Sequence, residues 1–168
     1  HLSGLFYRTA KLVELGIKVA YVFDGIPPAL KEVEIKRRAK VKADALVKYE
    51  KALKEGKMEK AKKYAQMTSK LKDYMPEDSK RLLTEMGIPW IQAPSEGEAQ
   101  AAYLTIRGDI DYCGSQDYDS LLFGATSLVR NITISGKRKI PKKRIYVEVV
   151  PEIMRLDNTL KELDISLE

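Results

Sequence analysis

The spacing of apolar and polar positions divides the chain into short elements. Leu5, Phe6, Thr9, Leu12 and Val13 form one stripe at helical spacing, and Gly16 follows as a stop. Residues 17–23 are instead a continuous apolar, β-branched run, the pattern of a buried strand. Asp24-Gly25 breaks that run, and Pro27-Pro28 forces an extended turn. Residues 31–54 contain no Gly or Pro and are rich in Lys, Glu, Ala and Leu, so a long helix is predicted, with Gly56 as its break and a second helix over 58–73. Apolar positions in this pair are sparse. It can bury little and is expected to project from the body.

Further along, Pro76-Glu77-Asp78 opens a predicted helix whose core face is Leu82, Leu83 and Met86, ending at Gly87. A strand over 88–93 follows, then a helix from an N-cap at Ser95 to about Arg107, then a short strand over 112–115. Residues 119–123 read as a turn or helix. Residues 127–134 and 145–150 read as strands around a basic loop (Lys137, Arg138, Lys139, Lys142, Lys143 and Arg144), and 151–156 and 160–163 as short helices. Strand then helix, three times over, is the signature of a parallel α/β sheet. The expected architecture is a parallel-centred sheet flanked by helices, one domain over 1–168, with the basic helical pair inserted at about 31–75.

Composition narrows this picture. With 168 residues, 44% hydrophobic and 32% charged, the chain can bury a core and is globular rather than disordered. No apolar run approaches the roughly 20 residues that span a bilayer, so no membrane partner is expected. The single cysteine, Cys113, excludes an internal disulfide framework, fits an intracellular setting and is expected as a small core residue. One Cys and one His argue against zinc. The net charge of +6 is uneven: residues 31–72 hold 15 Lys/Arg against 6 Asp/Glu, a net of +9, and the other 126 residues carry a net of −3. The basic segment points to a polyanion, and the acidic remainder to cations where its charges converge.

Those acids lie at strand ends. Asp24 follows the strand 17–23, Glu96 and Glu98 open the helix after 88–93, and Asp117 and Asp119 follow the strand at 112–115. Open parallel sheets bind ligands at the carboxyl ends of their strands. Five carboxylates converging there repel one another unless divalent cations offset the charge. Magnesium suits them, because it takes carboxylate and phosphate oxygens and keeps several waters. Two such ions about 3.5–4 Å apart can activate water and stabilise both the attacking and the leaving oxygen of an in-line displacement. Each motif also has a structural reading. Asp24-Gly25 can be a turn, Ser95-Glu96-Gly97-Glu98 a capping box, and Asp117-x-Asp119 a helix cap with first-turn acids.

Tyr21-Val22-Phe23-Asp24-Gly25 with Pro27-Pro28, then Ala93-Pro94-Ser95-Glu96-Gly97-Glu98-Ala99, then Ser115-Gln116-Asp117-Tyr118-Asp119, resemble the flap endonuclease family in identity, order and spacing. The family belongs to the wider xeroderma-pigmentosum-G-type 5′ nucleases, and the likeness is greatest to its archaeal members. The resemblance covers essentially the whole chain. It implies a nuclease core with a helical arch over about 33–73, acting in DNA replication and repair, and hydrolysis of one phosphodiester at the base of a 5′ flap with two Mg2+ ions, which Mn2+ can replace. It implies Asp24, Glu96 and Glu98 at a first metal, Asp117 and Asp119 at a second, and Lys31 and Arg38 steadying the scissile phosphate. It also implies a sliding-clamp partner held by a C-terminal tail, and an archaeal, cytoplasmic setting. The family's further metal-binding Asp on an upstream strand, its Gly-Thr-Asp motif, its helix-turn-helix element and the clamp tail fall outside these residues, so the chain is expected to correspond to about half of the usual protein.

Lys31, Lys36, Arg37, Arg38, Lys40 and Lys42 fall within twelve positions. Lys36, Arg37, Lys40 and Lys42 are candidate nucleic-acid contacts; a solvated helix face is the plain alternative. Tyr49, Tyr64 and Tyr74 can stack on unpaired bases or pack the two helices together. Two other functions compete: a related-fold metal-dependent ribonuclease, which has no need of the basic insertion, and a non-catalytic nucleic-acid-binding module whose acids are caps.

Overall fold

The computed structural model describes residues 1–68, 72–132, 136–140 and 145–166. Its elements run α1 (Leu2–Glu14), β1 (Tyr21–Phe23), a 3-10 turn (Ala29–Lys31), α2 (Glu32–Lys54), α3 (Met58–Thr68), α4 (Tyr74–Glu85), β2 (Trp90–Gln92), α5 (Gly97–Arg107), β3 (Cys113–Gly114), α6 (Asp119–Leu122), β4 (Ser127–Arg130), β5 (Lys137–Lys139), β6 (Tyr146–Glu148), β7 (Glu152–Arg155) and α7 (Leu156–Leu163). They separate into two compact units, His1–Ile26 with Ser79–Glu168, and Pro27–Asp78.

The α/β class expected from the pattern is present. β1 pairs in parallel with β2 and β3 with β4, while β7 joins β4 antiparallel. The expected single three-stranded parallel sheet is thus two parallel pairs, with no ladder between them among the described residues. β1 is also shorter than the apolar run 17–23. Its ladder begins where Tyr21 N donates to the Pro89 carbonyl at 3.0 Å. Pro89 has no N–H to extend that ladder.

Two expectations downstream are corrected. Residues 152–155, expected as helix, form β7, because Ser127 to Arg130 offer an open edge that they pair in full register. The helical residues beyond it are one element, α7, rather than two. Lys137–Lys139, expected within a loop, pair antiparallel with Tyr146–Glu148. Lys142, Lys143 and Arg144 of that loop lie outside the described residues, as do 69–71 of the expected second helix of the basic pair and the end of the strand over 127–134.

The core of the larger unit is built from small side chains under a few leucines. Ala102, Cys113 and Ala125 pack together, which seats α5 on β3, and Leu83 and Leu128 are fully buried. Cys113 is the core residue its isolation suggested, and burial pushes its thiol up from its ordinary pKa. Thr9, on the α1 stripe, is fully buried and hydrogen-bonds the Tyr21 hydroxyl at 2.7 Å, tying α1 to β1. Trp90 bonds Thr84 at 3.0 Å and meets Phe23 edge-on, with Lys80 over both rings. Among the described residues no helix is long and apolar enough to cross a membrane.

In the unit Pro27–Asp78, α2 and α3 pack through alanines, with Ala45, Ala52 and Ala61 buried. Gly56 makes the turn between them at φ +68°, a conformation that favours glycine. Tyr49 and Tyr64 are half-buried and Tyr74 is exposed.

Candidate metal centre

The end of β1 is laced to the start of α5. Ala93 N donates to the Phe23 carbonyl at 2.9 Å, Gly25 N to the Ser95 carbonyl at 2.5 Å, and the Gln92 amide to the Asp24 carbonyl at 2.7 Å. A Cβ at Gly25 would run into the backbone of Ala93 and Pro94, so only glycine allows this approach. The lacing delivers the Asp24 carboxylate to the first amide of α5: Gly97 N–H donates to Asp24 Oδ1 at 2.7 Å. That amide belongs to the peptide bond that joins Glu96 to Gly97.

This arrangement corrects the capping expected from the sequence. Ser95 is not the N-cap. Glu96 holds that position, with extended backbone and no side-chain cap bond, and Asp24 from another strand satisfies the Gly97 amide. Nor does Glu98 reach back as a capping-box acid. Its Oε1 accepts from the Ser115 hydroxyl at 2.5 Å, and Ser115 Oγ in turn accepts the Asp117 amide at 3.1 Å. One hydroxyl therefore links the first turn of α5 to the loop after β3. Asp119 is the first residue of α6, with Tyr118 as N-cap, and both Asp117 and Asp119 are exposed.

Of the sequence-predicted acids, Asp24 is thus bonded to the amide that follows Glu96, and Glu98 is linked through Ser115 to the Asp117 amide. They do not form one cluster: among the described residues no three Asp, Glu, His or Cys side chains are grouped closely enough to hold a metal ion. The chemistry of the donor set nevertheless fits a hard divalent cation, since it is all carboxylate oxygen. Asp24 Oδ2 and Glu98 Oε2 carry no hydrogen bond among the described residues and remain as donors.

Two contributors escaped the reading of the sequence. In the sequence both Ser115 and Gly97 stand only as members of motifs. The signal for Gly97 was available, because glycine is a poor helix former yet opens α5. The reason is space: a Cβ there would lie 2.9 Å from Asp24 Oδ1.

The predicted basic residues lie in the other unit. Lys31 ends the 3-10 turn and is exposed. Arg38 Nε bonds Glu34 Oε1 at 2.8 Å, and Arg37 bonds both Glu34 oxygens, at 2.6 and 2.7 Å. The hydrogen bond from Arg37, then that from Arg38, lowers the Glu34 pKa to about 2. Lys36 pairs with Glu32 at 3.2 Å. Lys40 and Lys42 are exposed and make no ion pair among the described residues.

Residues 1–45 match the XPG N-terminal domain and residues 87–168 match the XPG I-region. The chain belongs to the XPG family of nucleases. Among curated proteins its relatives include flap endonucleases. It is 58% identical over 168 residues to flap endonuclease 1 of Hyperthermus butylicus, covering 100% of this chain and 48% of that protein. It is 60% identical to that of Ignicoccus hospitalis, again over 100% of this chain and 48% of the relative. The chain therefore spans about half the length of the curated relatives it matches. Among solved structures, flap endonuclease-1 from Methanococcus jannaschii superposes with a TM-score of 0.62 at 44% identity, covering 98% of this chain and 49% of that one. The catalytic core of Rad2 in complex with DNA substrate gives 0.65 at 29% identity, over 99% and 42%.

Proposed function

We propose that this chain supplies the catalytic core of a structure-specific DNA endonuclease that hydrolyses one phosphodiester at the base of a 5′ flap, in DNA replication and repair. The flap endonuclease relatives support the reaction and the substrate. The observation that carries the reading is the Asp24–Gly97 hydrogen bond together with the Glu98–Ser115–Asp117 link. The Asp24 and Glu98 carboxylates are held by contacts between segments instead of serving as local helix caps, and the same Ser115 hydroxyl holds the Asp117 amide.

In this reading Asp24, Glu96 and Glu98 hold one Mg2+, and Asp117 and Asp119 contribute to a second, with Mn2+ able to substitute. Bound there, the cations supply an activated water and offset charge on the attacking and leaving oxygens. The protein's own part is positional. Gly97 N–H aims Asp24, and Ser115 keeps Glu98 and Asp117 in register. Lys31 and Arg38 steady the scissile phosphate, and Lys36, Arg37, Lys40 and Lys42 line the path of the single-stranded flap, residues of about 31–75 forming an arch inserted in the nuclease core. Arg38 exchanges its Glu34 partner for phosphate when DNA arrives. A sliding clamp is the expected protein partner, through a tail beyond these residues, in an intracellular archaeal setting.

The test is cleavage by the full-length protein of a labelled 5′-flap DNA against single-stranded RNA, with Mg2+ and with EDTA. Metal-dependent cutting at the flap base is expected. Cutting of the RNA alone would indicate a ribonuclease. Because no three carboxylates are grouped among the described residues, a non-catalytic binding module is the second reading. It predicts flap binding without cleavage under any divalent ion.

A further inference from the structure

Arg130 ends β4 and opposes Glu152 in the antiparallel register with β7. Its side chain is only 20% exposed. In a basic chain an arginine near an active site is expected to face phosphate, but this one turns to the protein. Nε donates to the Gln116 carbonyl at 3.0 Å, and Nη1 donates to the Tyr118 hydroxyl and to Glu152 Oε2 at 3.3 Å. The guanidinium lies 3.9 Å from the centre of the Tyr118 ring. Gln116 and Tyr118 alternate with Asp117 and Asp119, and Tyr118 is the N-cap of the helix that Asp119 begins. One planar fork thus holds both neighbours of Asp117 and anchors them to the sheet. A lysine cannot reproduce this, since its single ammonium lacks the fork and stacks poorly.

We propose that Arg130 is a positioning residue for the Asp117 and Asp119 carboxylates, acting through Gln116 and Tyr118 and not through DNA. The inference rests on the metal-centre reading above. Ser115 fixes the Asp117 amide from one residue upstream of Gln116. Arg130 fixes the residues on either side of Asp117, and its bonds to Gln116, Tyr118 and Glu152 turn its donors toward the protein.

The test compares Arg130→Gln, Arg130→Lys and Asp117→Asn in the full-length protein by Mn2+ titration, read from the loss of the free-ion electron paramagnetic resonance signal, and by 5′-flap cleavage. Arg130→Gln should raise the Mn2+ half-saturation by about 10–100-fold, the scale of losing a group that orients a metal ligand. KM for the flap should stay within about twofold while kcat falls. Arg130→Lys should not restore Mn2+ binding. Tyr118→Leu, which leaves the Arg130–Glu152 pair in place, should give the same Mn2+ defect in a weaker form and serves where Arg130→Gln does not fold. A raised KM with unchanged Mn2+ binding, rescued by lysine, would mean a phosphate contact and overturn the proposal. If Asp117→Asn weakens Mn2+ binding and neither Arg130→Gln nor Tyr118→Leu does, Arg130's role alone is wrong. If Asp117→Asn itself leaves Mn2+ binding unchanged, the metal-centre reading fails and takes this inference with it.

Discussion

In the unit of His1–Ile26 with Ser79–Glu168, two of the candidate acids are each held by a group from another segment. Asp24 is fixed by the Gly97 amide and Glu98 by Ser115, above a core of fully buried leucines. In the unit Pro27–Asp78 the described buried side chains are all alanines, and the charges sit on an exposed helix, where Lys36, Arg37 and Arg38 pair with acids three or four residues away. In the proposed reading the difference follows what each charge is for. A metal ligand must be placed to a fraction of an ångström, so it needs contacts that cross between segments and a core behind them. A polyanion is attracted by summed charge, so a lysine-rich helix with little core suffices.

That contrast can be broken most forcefully at Gly97. A Cβ there lies 2.9 Å from Asp24 Oδ1, so Gly97→Ala should displace the carboxylate. Flap cleavage is expected to fall by about 100-fold as metal affinity drops, with overpacking costing about 1–3 kcal/mol in thermal unfolding. Unchanged cleavage across a full Mg2+ titration would show that Asp24 needs no such placement.

A smaller effect is expected at Ser115. Ser115→Ala removes the hydroxyl that joins Glu98 to Asp117 and should raise the metal half-saturation about 10-fold, with Ser115→Thr restoring most of it. Failure of threonine to rescue would argue that Ser115 fills space rather than donates.

Charge in the helical unit should behave otherwise. Lys40→Ala with Lys42→Ala should reduce the slope of log DNA affinity against log salt by about 1.4 and leave Mn2+ binding alone, as expected for two contacts to single-stranded phosphates. A change in Mn2+ binding with an unaltered salt slope would erase the distinction between the two regions.

The smallest effect concerns Glu34. Its pKa is lowered from 4.5 to about 2 by hydrogen bonds from Arg37 and then Arg38. A lowered carboxylate stabilises the folded form above its unfolded pKa, and that contribution is lost as pH falls through the folded one. Helical circular dichroism should therefore show a shallow loss between pH 4.5 and about 2 that Glu34→Gln lacks. The same substitution frees both arginines and should modestly tighten flap binding at neutral pH.

Much of this was legible in the sequence where the signal is local. The long helix α2, the Gly56 turn, the parallel strand β2 before α5 and the isolation of Cys113 all follow from periodicity, propensity and composition. The failures are long-range. β7 looked helical because its partner edge on β4 is more than twenty residues away, and sheet pairing outweighs local propensity. Ser95 looked like a cap because the true acceptor, Asp24, is 73 positions upstream of the Gly97 amide it receives. Arg130 gave no motif at all, since its contacts reach back 12 and 14 residues into a loop.

The account stands most directly on whether Asp24 and Asp117 bind divalent metal. Mn2+ titration of the full-length protein, followed by electron paramagnetic resonance, should give tight binding that Asp24→Asn and Asp117→Asn each weaken by an order of magnitude or more. Binding of Mn2+ that is absent in the parent, or equal in parent and both variants, would contradict it.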